Sequence, residues 1–408
     1  MMSSEAEQAA APDRDILGPI RTETMTLNMG PQHPSTHGVL RVRLELEGEM
    51  VLACRPDIGY LHTGFEKNME EKTYNKALPM TDRMDYLAPM SNNLGFVLAV
   101  ERLLDLEITR RCSYLRVLLA ELTRIQSHLV WLGTHALDLG AMTVFLYCFR
   151  EREDLLKIFE KVAGVRMMTS YFRVGGVSRE PYLEFHADCR RFLDEFPAKM
   201  DDYEELLTDN PIFRGRTRGV GAISAEKALA HGVTGPLLRA CGVDYDIRKK
   251  EPYLAYEEFD FGVPLGETGD IYDRYLVRLA EMRESREIAI QAIEGMPEGP
   301  LMADDPKVVP PPKERLSTDM EALIHHFKIF TEGYQVPAGE VYQATESPRG
   351  EIGYYIISDG SPSPYKVKVR APSFSNLFSM AEMVKGGMFG DVVAALGSVD
   401  IVLGEIDR

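Results

Sequence analysis

Gly30-Pro31-Gln32-His33-Pro34-Ser35-Thr36-His37-Gly38 is the stretch on which the reading of this chain turns. Its two prolines fix φ at their own positions and push Gly30 and His33 away from helical geometry, so it can be neither an ordinary helix nor a central strand. It is a stiff, shaped loop that presents side chains. An imidazole has an unperturbed pKa of roughly 6.5, so the two histidines are suited to exchanging protons near neutral pH. The plain alternative is a surface turn holding two idle histidines, because loops also carry unremarkable polar residues.

Immediately after the loop, Leu40, Val42, Leu44 and Leu46 alternate with Arg41, Arg43, Glu45 and Glu47. That period of two predicts a half-buried strand. Glu47-Gly48-Glu49 turns it, and Met50 to Cys54 returns as the second arm of a hairpin. A small β unit therefore opens the fold with the histidine loop at its edge. Beyond it the chain reads as helical over 93–106, 116–139, 145–161, 201–207, 271–293 and 320–330, with Pro197 expected to break or kink the helix before it. In the second of these, Leu118, Leu122, Ile125, Leu129 and Leu132 form one apolar stripe. Arg124, His128, Trp131, His135 and Asp138 form a second stripe on roughly the opposite face, which predicts a helix inside an assembly and not at its rim. Pro310-Pro311-Pro312 is a stiff linker. Strand-like segments follow over 340–344, 354–358 and 365–370.

The expected fold class is α+β, mainly α: a central long-helix bundle with an N-terminal β unit and C-terminal mixed α/β elements. The expected organisation is a disordered tail over 1–20, a β unit with the site loops over 21–87, a helical core over 88–309 and a C-terminal α/β region over 310–408. With 408 residues, 45% of them hydrophobic, the chain can bury a large core. Its formal charge of −17 argues against nucleic acid or anionic lipid held through a basic face. No run approaches the roughly 18 apolar residues of a membrane span, so membrane contact is expected through partners. The first twenty residues carry one arginine and four acids, which excludes a secretory signal and fits a mitochondrial leader poorly. Cys54, Cys112, Cys148, Cys189 and Cys241 are scattered with no C-x-x-C pair, so no iron–sulfur, nickel or zinc site is expected on this chain.

The loop resembles the GPQHPSTHG segment of the 49-kDa (D) subunit family of proton-pumping NADH–quinone oxidoreductase, respiratory complex I. The resemblance continues through Ile58 to Lys67, Arg83-Met84-Asp85-Tyr86, Gly242 to Arg248, Gly269 to Arg274, Glu346 to Glu351 and Asp400 to Arg408. That family is similar to the large subunit of nickel–iron hydrogenases, which holds its metals between two C-x-x-C motifs. The corresponding places here look like Arg83-Met84-Asp85-Tyr86 and Asp400-Ile401-Val402-Leu403, neither with a thiol. The resemblance therefore implies a hydrogenase-like scaffold without its metal site.

It further implies half of a quinone site, working only within the complex on the cytoplasmic side of a bacterial membrane. His37 would hydrogen-bond one quinone oxygen and Tyr86 the other, with Asp138 pairing with His37. Arg83 would lie near the 4Fe–4S cluster of a neighbouring subunit. The implied partners are the B, C and I subunits of the peripheral arm and the H and A subunits of the membrane arm. His33 is read as either a second site residue or a loop-stabilising one, Asp85 as a loop cap, and Glu346, Arg349 and Glu351 as structural or interface-forming. Met168 stands where the family usually has a histidine near the cluster. A thioether cannot titrate, and the lower cluster potential expected from this leans the quinone towards menaquinone over ubiquinone. Two other readings compete: a metal-bearing hydrogenase subunit, which the missing thiols argue against, and a pure scaffold, which the presence of His37, Tyr86 and Asp138 argues against.

Overall fold

Strands β1 (Thr24–Met29), β2 (Arg41–Glu47) and β3 (Met50–Asp57) form an antiparallel sheet with β2 in the middle. The alternation seen in the sequence sets its faces: Val42, Leu44 and Leu46 are buried while Arg43 and Glu45 face out. β1 has no such pattern, because as an edge strand it buries only Met29, and so it could not be read from the sequence. This computed structural model describes residues 23–408, and the tail expected over 1–20 lies outside them.

The middle of the chain is helical: α1 (Tyr74–Met84), α2 (Pro89–Leu104), α3 (Arg110–Asp138), α4 (Met142–Ala163), α5 (Phe185–Leu207) and α6 (Ile271–Gly295). α3 is the axis. Thr109 caps its start, accepting from the Cys112 N–H at 3.2 Å. Its apolar stripe from Leu118 to Leu132 is buried, as the spacing predicts. Arg124, His128, Trp131 and His135 on the second stripe are buried too, enclosed by the protein's own elements. Pro197 does not break its helix: α5 runs unbroken from Phe185 to Leu207. The carbonyl that Pro197 cannot satisfy, on Leu193, accepts instead from Arg286 Nε at 2.7 Å, which removes much of the usual cost.

After α7 (Met320–Thr331), strands β4 (Gly339–Ser347), β5 (Gly350–Ser358) and β6 (Lys366–Arg370) make a second antiparallel sheet, and α8 (Pro372–Val384) and α9 (Phe389–Val399) follow it. The last two helices were not legible in the sequence. Two apolar cores result. One joins the helices of the bundle to β5 and β6 through residues such as Leu118, Phe192, Tyr354 and Val369. The other joins the first sheet to α8 and α9, with Val42 and Leu44 sharing a cluster with Met380, Val392 and Leu396. The first and last segments of the chain thus share a core. That sharing sets the short turn Pro34–Thr36 of the histidine loop against α9.

Candidate functional site

The histidine loop is tied to itself. The Gln32 N–H donates to the Gly38 carbonyl at 2.8 Å, and a 3-10 turn over Pro34–Thr36 fills the space between. His33 is exposed and its Nδ1 accepts from the Ser35 N–H at 3.2 Å, so it acts as the cap of that turn. Thr36 is buried and donates to the His33 carbonyl at 2.9 Å. His37 closes the turn in the left-handed region, at φ 51°. The loop therefore turns its two imidazoles to different uses: His33 holds the loop, and His37 points inward.

There His37 Nε2 meets Asp138 Oδ2 at 3.9 Å, with side chains 21% and 19% exposed. The distance is too long for a hydrogen bond and would be an ion pair only with the ring protonated. Nε2 itself is buried and has no hydrogen-bond partner among the described residues. Burial lowers the pKa of His37, the Asp400 carboxylate partly offsetting this and Arg349 adding to it. At neutral pH the ring is therefore an uncharged imidazole. Asp138 is the last residue of α3, and burial pushes its carboxyl up to about 6. Behind it Gly397 of α9 comes so close that a Cβ there would lie 2.9 Å from both Asp138 Oδ2 and His135 Nδ1. The Gly397 carbonyl accepts from Trp131 Nε1 at 2.9 Å, and Trp131 stacks on His135 with ring centres 5.5 Å apart. Burial, together with Arg278 and Arg274, holds the His135 ring down at about 3.

Tyr86 lies in the bend between α1 and α2, next to Asp85, the residue that ends α1. Asp85 Oδ1 accepts from the N–H groups of Leu87 and Ala88 at 3.1 and 3.0 Å, the loop cap expected from its position. Its second oxygen accepts from Arg349 Nη1 at 2.8 Å. Arg349, in the turn between β4 and β5, also donates to the Asp400 carbonyl at 2.9 Å and to Asp400 Oδ1 at 3.3 Å. Beyond it, Gly404 packs so tightly on α1 that a Cβ would lie 2.8 Å from the Met84 carbonyl. The tetrapeptides 83–86 and 400–403, from opposite ends of the chain, are thus joined through one guanidinium. Burial raises the pKa of the Tyr86 phenol, the Arg349 charge pulls against that shift, and Asp85 reinforces it. His37 and Tyr86 both lie in the field of Arg349 and Asp400.

Arg83 is exposed on the last turn of α1 and donates to the Pro79 carbonyl at 2.6 Å. Met168 is half-buried, with φ 55°, in a loop held to α1 where Ser170 N–H donates to Asp82 Oδ2 at 3.0 Å. Burial pushes Asp82 up to about 6 against those hydrogen bonds. Glu346 is buried, accepting from Arg239 at 2.9 Å, and Glu351 accepts from the Tyr342 hydroxyl at 2.6 Å, so both do structural work. Arg349 from the same motif reaches the site, and Asp400 and Glu405 join it. All three lie in segments that carry the family resemblance, yet nothing local in the sequence gives Asp400 or Glu405 a role. Among the described residues no group of three or more histidines, cysteines and carboxylates is arranged to hold a metal ion. The five cysteines are separate and free. The described residues offer no ligand set that fits an iron–sulfur or nickel centre. No helix among the described residues is long and apolar enough to cross a membrane.

The model of the family described as "Respiratory-chain NADH dehydrogenase, 49 Kd subunit" matches residues 138–408. The NADH-quinone oxidoreductase D subunit 2 of Koribacter versatilis is 62% identical over 386 residues, covering 95% of this chain and 96% of that protein. The D subunit 1 of Solibacter usitatus is 60% identical over 384 residues, covering 94% of each chain. The D subunit of Geobacter sulfurreducens is 57% identical over 387 residues, covering 95% of this chain and 99% of that one. The chain belongs to the 49-kDa family, the D subunits of NADH–quinone oxidoreductase.

Proposed function

We propose that the chain forms half of a quinone-reducing site, with His37 and Tyr86 as the groups that meet the two carbonyl oxygens of the headgroup. The observation that carries this reading is a convergence: the turn before His37 packs on α9, which Asp400 ends, and Asp85, the neighbour of Tyr86, shares Arg349 with that same Asp400. Adding two electrons makes the quinone oxygens strongly basic, so a phenol with a raised pKa still becomes a competent donor. Tyr86 gives its hydroxyl proton to one oxygen, and the phenolate left behind is stabilised by the Arg349 cation beside it. His37, uncharged at neutral pH, relays the second proton: its ring N–H passes to the other oxygen as the opposite ring nitrogen takes up a proton from solvent, so the ring ends uncharged. Asp138, which exchanges its proton near pH 6 at 3.9 Å from the ring, orients the imidazole and offsets charge that develops on it.

A 4Fe–4S cluster held by a neighbouring subunit would supply the electrons, and the exposed Arg83 would lie near it. A fixed cation there raises the cluster's potential. The relatives' names supply the donor NADH and the acceptor quinone, and menaquinone is the quinone proposed. The proposed neighbours are the B, C and I subunits, with membrane contact through the H and A subunits on the cytoplasmic face. The test is made on the assembled complex. Tyr86→Phe and His37→Ala are each expected to lower quinone reduction by roughly 10²-fold or more, as loss of a positioned proton donor does. Reduction of an artificial acceptor at the NADH end should be unchanged. Quinone reduction at native rates in both variants would remove the assignment.

A further inference from the structure

Three carboxylates converge on one buried guanidinium. Asp85 and Asp400 are hydrogen-bonded to Arg349, as described above, but Glu405 is not. Its Oε1 accepts from the Ser373 N–H at 2.8 Å, at the start of α8, and its Oε2 is buried with no hydrogen-bond partner among the described residues. Glu405 is 1% exposed. The groups that face it are Asp85 beyond α1, Arg349 from the turn between β4 and β5, Ser373 on α8 and the Tyr354 hydroxyl on β5. On its own short segment, Asp407 is taken up by the Gly59 and Leu61 N–H groups, and the Arg408 side chain by Glu66. Arg278, the next cation, is near Asp400 and donates Nη1 and Nη2 to the Ser398 and Val399 carbonyls. One cation thus serves three buried acids, and a bare carboxylate in such a place is strongly disfavoured.

We propose that Glu405 is a positioning residue for the quinone chemistry: its carboxyl carries a proton, which leaves Arg349 undivided between Asp85 and Asp400 and so sets the charge seen by Tyr86. The proposal rests on the reading of Tyr86 as a proton donor. The pKa of Glu405 agrees with it, pushed up to about 7 by burial and then by Asp85, against the pull of Arg349. When pH rises through that value the proton leaves to solvent, and a third negative charge competes for Arg349. The Tyr86 phenol then faces one more uncompensated negative charge, which makes its proton harder to give up. Glu405 acts through Arg349 and touches no substrate.

The experiment uses the intact complex with Glu405→Gln, a neutral isostere that cannot titrate, and with Glu405→Asp as the conservative variant. Quinone reduction is followed from pH 6 to 8, beside reduction of an artificial acceptor at the NADH end. A group titrating near 7 goes from roughly 90% to 10% protonated over that range. The native quinone rate should therefore fall about tenfold, while Glu405→Gln should fall less than about twofold and Glu405→Asp should regain a pH dependence. A native slope in Glu405→Gln overturns the proposal, and so does loss of quinone reduction at every pH with the NADH end intact. Infrared difference spectra of the native complex between pH 6 and 8 should show a carboxylic C=O band that is absent in Glu405→Gln. A missing band overturns the proposal without any reference to turnover. If the band is present but Tyr86→Phe reduces quinone normally, the protonated Glu405 stands and its positioning role falls with the reading of Tyr86.

Discussion

Two parts of this molecule bury the same kinds of residue and treat them differently. In the bundle, Arg239 meets Glu281 at 2.7 Å and Glu346 at 2.9 Å, Arg248 meets Asp246 at 2.6 Å, and Glu121 lies between Arg124 and Arg248 at 3.1 and 3.2 Å. Burial pushes Glu121 and Glu281 up, but the arginines around them outweigh it and hold both at about 2. Every one of these carboxylates is paired, and neither Glu121 nor Glu281 titrates near neutrality, although at Glu346 burial outweighs the arginines and raises the pKa. Around the histidine loop the pairing falls short: Asp138 is raised to about 6 and Glu405 to about 7, and His37 Nε2 and Glu405 Oε2 lack hydrogen-bond partners among the described residues. A cluster in which every carboxylate has its cation fixes a fold, even where single donors such as Arg124 Nη1 and His128 Nδ1 stay without a hydrogen-bond partner among the described residues. An under-paired one can take up and release protons, and perturbed groups of this sort gather where chemistry happens.

The contrast can be broken most severely at the saturated end. Arg239→Ala leaves Glu281 and Glu346 buried beside an empty place, which costs about 3–5 kcal/mol for a buried pair broken on one side. Thermal denaturation of the isolated chain should show the loss, and in the complex NADH-end and quinone activities should fall together. The Tyr86 and His37 substitutions come next, with the two activities separating. Their separation, set against the joint fall in Arg239→Ala, is what distinguishes site from scaffold.

Asp138→Asn sharpens the comparison with a smaller effect. Asparagine resembles the protonated acid, which is the native form below about pH 6. The variant should match the native rate at acid pH and drop away as pH rises through 6, by less than the roughly 10²-fold expected of a proton donor. Equal loss at all pH values would show that Asp138 serves packing alone. The smallest effect belongs to His33→Ala, which removes an exposed cap from a short turn. It should cost no more than about 1 kcal/mol, seen as a slight shift in the melting temperature, with quinone reduction within about twofold of native. A larger loss of rate would move His33 from the loop into the site.

Legibility in the sequence followed periodicity. β2 and α3 could be read because Leu40 to Glu47 and Leu118 to Leu132 repeat with the period of a strand and a helix. β1, which buries one residue, and α9, whose small residues pack on every side, carry no such signal. A rare local string marks the histidine loop, but the roles proposed for His37 and Tyr86 come from the family resemblance. Asp138 looks like any charge at a helix end, and only the family resemblance raised it. Arg349, Asp400 and Glu405 owe their place to a meeting of the β4–β5 turn, α1 and the C-terminal segment. No spacing within one segment encodes such a meeting.

The sharing of one core by the first and last segments has a consequence in time. Residues 37, 86 and 138 leave the ribosome early, but the Arg349, Asp400 and Glu405 that complete their surroundings come near the end of the chain. At about 5–20 residues per second, roughly 20–80 s pass before the last of them is made. Until then the first sheet has no α8 or α9 to cover Val42 and Leu44, and its apolar face waits in the open. The oldest part of the nascent chain is thus the part that waits longest for its cover, and the groups around Arg349 are the last to arrive.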